Sequence, residues 1–135
     1  MTLQSDDTQH WQQQRDQWLG WLDQLVSDIA AWSEHEGWGV NREQKTVTEP
    51  LLGTYSAPVL HVQISGGRIQ VNPIGLHMIG AEGRVDLEGW PTLNRVKLVR
   101  RQEQWQIVTD SNVPLRLPWC EQTFVQLAQD LIGMP

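Results

Sequence analysis

Between Val59 and Asp110 the chain is cut into short stretches that alternate apolar and polar residues, joined by links of hairpin length. "VLHVQI" puts Leu60, Val62 and Ile64 on one face, with His61 and Gln63 on the other. "SGGR" reads as a tight turn into "RIQVNPI". "GRVDLEG" alternates again, with Val85 and Leu87 inward and Arg84, Asp86 and Glu88 outward. "GWPT" turns the chain into "LNRVKLVRR", where Val96 and Leu98 oppose Arg95 and Lys97. "QE" then leads into "QWQIVTD", with Trp105 and Ile107 inward. "WGVNREQKTVTE" reads as a further strand upstream. Links this short cannot carry the crossover that parallel neighbours need, so the strands are expected to run antiparallel.

A helix is expected on each side of this ladder. From about Thr8 to Glu36, residues Trp11, Trp18, Leu22, Leu25, Ile29 and Trp32 fall on one stripe at helical spacing, widened by Leu19, Trp21 and Val26. Asp16, Asp23, Gln24, Ser27 and Glu34 take the opposite face. "SDDT" supplies N-cap residues and acids at the positive end of the dipole, and Gly37 suits a C-cap. Gly20 sits inside the helix without an evident reason. "DSNVPLRLP" reads as a connector, and Pro118 opens a last helix from Trp119 to Ile132 with Phe124, Leu127, Ala128 and Leu131 on its apolar face. The expected fold is a single α+β domain over residues 1–135: a long amphipathic helix, an antiparallel meander of about six strands and a C-terminal helix packed on the sheet. Residues 1–7 are expected to form a flexible N-terminus. The order is similar to the bent meander and closing helix of pleckstrin-homology-like domains, a likeness of topology that implies no ligand.

Composition narrows the function classes. A net charge of −6 argues against a nucleic-acid binder, because duplex affinity comes mainly from Lys and Arg neutralising phosphates. The polar, acidic start lacks the apolar run of a signal peptide, and no window approaches the ~20 apolar residues of a membrane span. A lone cysteine, Cys120, forms no internal disulfide. The expectation is a soluble, cytoplasmic protein with no membrane partner. Eight tryptophans against one Tyr and one Phe are the compositional anomaly. Trp11, Trp18 and Trp32 share a stripe with leucines and are read as core. Trp21 lies at the stripe's edge, Trp90 in a turn, and Trp38 and Trp119 at helix ends, where exposed indoles would mark a partner surface.

Candidate chemistry is sparse. In "GLHMIGAEGRVDLEG", Gly75 and Gly80 have phosphate-loop spacing, but Ala81 and Glu82 stand where Lys and Ser/Thr are needed, and a strand follows where a helix should. These glycines are read as turn positions that need positive φ. Arg84, Asp86 and Glu88 could be an acid–base row. Arg95 and Lys97 on the next strand make cross-strand ion pairs the favoured reading. Cys120 with His61 or His77 matches no nucleophile signature, and His10, His35, His61 and His77 lack metal-ligand spacing. No catalytic residue, metal site or cofactor is assigned. The function expected is a non-enzymatic protein–protein interaction module or accessory subunit that binds a protein partner, a basic one on charge grounds. Trp21, Trp90, Arg84 and Asp86 are the candidate surface, and a homo-oligomer is compatible with it. The alternative is a small-molecule binder or small enzyme with a pocket between helix and sheet that uses Arg84 and Asp86.

Overall fold

A computed structural model describes residues 5–76 and 82–133. His77, Gly80 and Ala81, weighed above, lie outside the described residues. Helix α1 (Ser5–His35) is followed by strands β1 (Gly39–Glu49), β2 (Gly53–Ile64), β3 (Gly67–Gly75), β4 (Arg84–Trp90), β5 (Arg95–Arg101), β6 (Gln104–Thr109) and β7 (Pro114–Leu115), then helix α2 (Glu121–Leu131). The strands form one antiparallel sheet in chain order, β1 to β7. The α+β meander expected from the sequence is therefore present, with two differences. The helix already includes residues 5–7 of the expected flexible N-terminus, residues 1–7. The Pro-punctuated connector contains a seventh strand, in which Pro114 and Leu115 pair with Val108 and Ile107. Two residues are too few to leave a periodic signal.

Register explains the layers. Leu60, Val71, Leu87 and Val96 stand opposite one another across four strands, as do Val85, Leu98 and Ile107 across three. All seven are buried, and they meet Trp18, Leu22, Leu25 and Ile29 of α1 and Phe124, Ala128 and Leu131 of α2. Each large apolar side chain so enclosed contributes roughly 1.5–3 kcal/mol. The other sheet face carries the polar alternates: His61, Gln70, Asn72, Asp86, Glu88, Arg95 and Lys97.

The first hairpin reaches beyond this frame. β1 pairs with β2 from Gly39↔Gln63 to Glu49↔Gly53, while β2 pairs with β3 only from Leu60 to Ile64. Its distal half thus has no backbone ladder to β3 and packs against the N-terminal half of α1. There the Trp18 indole N–H donates to the Tyr55 hydroxyl (3.1 Å), which donates to the Glu49 carboxylate (2.5 Å). Glu49 also accepts from the Leu76 backbone N–H at 3.0 Å. A single chain of hydrogen bonds thereby links the helix, the hairpin and the end of β3. Burial, then the contact with Glu49, raise the Tyr55 pKa well above the ordinary phenol value.

The glycines of the 75–89 stretch play more than one part. Gly83 has φ +140, and a Cβ there would lie 2.3 Å from the Trp18 ring, so it needs both freedom and the missing side chain. Gly75, at the end of β3, is a close-approach position and not the turn position expected, and Gly89, in β4 where the β4–β5 turn closes, is a close approach as well. A Cβ on Gly75 would meet the Glu49 carboxylate at 2.9 Å, and one on Gly89 the Leu131 carbonyl oxygen at 2.4 Å. Nothing in the structure explains Gly20, where a Cβ would meet no atom within 4 Å.

Candidate interaction surface

Trp90 ends β4, and a short turn carries the chain to β5. The turn closes through Gly89 N–H to Asn94 C=O (2.7 Å) and Leu93 N–H to Gly89 C=O (3.0 Å). It is also anchored from below. The last carbonyls of a helix lack intrahelical donors. Here the Leu131 carbonyl of α2 accepts from the Thr92 hydroxyl (2.5 Å) and the Asn94 amide (3.3 Å). The anchor fixes the corner while its apolar side chains face water: Trp90 is 55% exposed and Leu93 75%. The Arg68 guanidinium lies 5.7 Å from the centre of the Trp90 ring. A cleft of about 310 Å³ opens beside them, lined also by Gln70, Glu88, Arg95 and Asp110. Its charges are matched, and Arg95 pairs with Asp110 at 2.7 Å.

The other tryptophans are folded inward to differing degrees. Trp21, expected at the surface, is half-buried under Arg100, whose guanidinium lies 4.3 Å from the Trp21 ring and 5.3 Å from Trp105. Burial lowers the Arg100 pKa; its Nε has no hydrogen-bond partner, while Nη2 donates to the Glu103 carbonyl at 3.2 Å and the two indole faces add cation–π contact. Trp32, Trp38 and Trp119 ring Phe124 at centroid distances of 5.9, 6.2 and 6.0 Å. That cluster joins the end of α1 to the start of α2. Of the eight indoles, Trp90 is the exposed one.

Arg84 and Asp86 lie on the sheet face away from the helices, and the space between helices and sheet around them is occupied by the core. Asp86 is 2% exposed. Its main partner is not cross-strand, as expected, but Arg84 on the same strand, through a two-pronged pair of 2.8 and 3.0 Å. Arg95 adds a longer contact at 3.7 Å. Lys97, directly opposite Asp86, instead donates to Asn112 at 2.6 Å. Asp86 is thus covered by its own neighbours and offers no open carboxylate. The pair is a structural clamp within β4, joined to the cleft beside Trp90 only through Arg95.

The remaining candidates are dispersed. His61 contacts Glu43 at 3.1 Å on the polar sheet face, whereas Cys120 precedes α2 on the helix side. The Cys120 pKa is lowered by hydrogen bonding, first from the Thr123 side chain. His35 pairs with Glu121 at 2.9 Å, tying the end of α1 to the start of α2. Among the described residues no three His, Cys, Asp or Glu side chains converge as metal ligands, and no helix is long and apolar enough to cross a membrane. No family model matches the chain, and neither the curated proteins nor the solved structures compared with it contain a match.

Proposed function

We propose that the chain is a non-enzymatic protein-interaction module whose docking point is the Trp90–Leu93 corner. The observation that carries this reading is the pairing of two large exposed apolar side chains on a turn anchored to the end of α2. A preorganised indole loses little side-chain freedom on binding, and aromatic anchors of this kind dominate interface energetics. The charge-matched cleft beside it supplies a polar rim. The acids Asp16, Asp23, Asp28 and Glu34 of α1, with a net charge of −6, favour approach of a basic partner.

The test is a parallel capture from cell extract with the wild-type chain, Trp90→Ala, Leu93→Ala and the distant control Arg116→Ala as baits. A partner retained by wild type and control and lost from both corner variants supports the reading. Identical retention by all four baits refutes it. Thermal melts of the baits guard against loss of fold, which exposed corner residues should leave within about 0.5 kcal/mol of wild type.

A further inference from the structure

β1 is the open edge of the sheet. It pairs with β2 along its whole length and, among the described residues, with no strand on its other side. Alternate backbone N–H and C=O groups of Gly39–Glu49 therefore point outward, a template for another strand. Proteins usually guard such edges with charge, and β1 does carry Arg42, Glu43 and Lys45. Here the order of the charges selects a partner. Consider a two-fold axis normal to the sheet through Gln44, with a second β1 laid antiparallel. Gln44 then faces Gln44, and Glu43 faces Lys45 of the second copy, twice by symmetry. Arg42 faces Thr46, and no like charges meet. The neighbouring registers lose this match: an axis through Glu43 sets the two glutamates against each other, and one through Lys45 does the same to the lysines.

Existing contacts hold both charged side chains on one face. Glu43 contacts His61 of β2 at 3.1 Å and Lys45 donates to Asn72 of β3 at 2.7 Å, both on the polar sheet face, and in the dimer the two side chains exchange these inward contacts for the pair across the edge. Directly opposed residues in such a pair have Cβ atoms about 4.5–5.5 Å apart, within reach of an ion pair. We infer that the β1 edge binds a second copy of this chain, β1 against β1 about Gln44, giving one continuous sheet across the dimer. This contact is independent of the Trp90 corner, which lies on β4.

The test is sedimentation equilibrium over a concentration series. Wild type is expected to dimerise. Glu43→Lys sets lysine against lysine, and Lys45→Glu sets glutamate against glutamate, so each should weaken the dimer by about ten- to several-hundred-fold. An equimolar mixture of the two variants restores opposite charges at both pairs and should recover the dimer, as should the double swap E43K/K45E. A wild-type chain that stays monomeric, or a single reversal that leaves the dimer intact, overturns the inference. Hydrogen exchange on the wild-type chain checks it without a variant. Outward β1 amides should exchange more slowly as concentration rises, and concentration-independent exchange overturns the inference equally.

Discussion

The hydrogen-bond chain Trp18–Tyr55–Glu49 gives a prediction that a single chromophore reports, because Tyr55 is the only tyrosine. Tyr55→Phe removes the hydroxyl and leaves the Trp18 indole N–H without its acceptor, in a residue with 0% exposure. An unsatisfied buried donor costs about 1–3 kcal/mol, and loss of a hydrogen bond to a charged group about 1.5–3 kcal/mol. Glu49 keeps the Leu76 N–H and is only partly buried, which softens the second loss. The expected destabilisation is therefore about 3 kcal/mol, or roughly 10 °C in Tm for a chain of this size. Urea unfolding with an unchanged m-value measures it. The pH dependence supplies an independent check. A pKa raised in the folded state contributes stability that is intact below the unfolded value of about 10 and is lost as pH rises through the folded value. Above about pH 10, wild type should lose up to about 1.4 kcal/mol per pH unit from this group, and the Phe variant should lack that slope. Tyrosinate absorbance should appear only with unfolding. A tyrosinate band rising near pH 10 in a chain with native tryptophan fluorescence, or a cost below about 1 kcal/mol, would refute the reasoning.

Three further outcomes are expected. Gln102 and Glu103 form a two-residue turn with φ of 52 and 64, a geometry that favours Asn-Gly, so the double substitution Q102N/E103G should stabilise by about 1 kcal/mol in urea unfolding. Gly89→Ala should cost about 1–3 kcal/mol by driving a methyl group into the Leu131 carbonyl, while Gly20→Ala, in open space on a helix, should gain about 0.5–1 kcal/mol in the same assay. His35 should titrate above its ordinary value, because its hydrogen bond to Glu121 favours the charged ring. Its ion pair is thus complete below about pH 6.5 and lost as pH rises through the raised value, and proton NMR should show that value falling in Glu121→Gln.

Alternation and turn chemistry were enough to read the strands out of the sequence, because each inward residue has its neighbour two positions on and the links are short. The same periodicity set Asp86 outward, and it is outward. What periodicity could not supply is that Arg84, two residues away, folds over it and seals it from water. The need for a missing side chain at Gly75 and Gly89 was not legible, because the atoms that require it, in Glu49 and Leu131, are distant in sequence. Trp21 was legible as the edge of a stripe, but the arginine that covers it comes from β5. The Trp90 corner was partly visible, as a tryptophan in a turn signal. Its anchor on the Leu131 carbonyl, 39 residues away, was not. Local patterns thus reveal which way a side chain points, and contacts between remote segments decide whether it stays in water.

The two margins of the sheet are unequal, and that inequality limits how the chain can assemble. β7 offers two residues at the far margin, one of them a proline without an N–H, and beside it Leu115–Trp119 walls the groove along β6. A head-to-tail stack, β1 of one molecule on β7 of the next, would have almost no donors to build with, so open-ended fibre growth is disfavoured. An isologous contact between two β1 margins consumes both long edges at once and leaves only the blunt ones outside. In the proposed dimer the short proline strand would act as a terminator, so that assembly would stop at two.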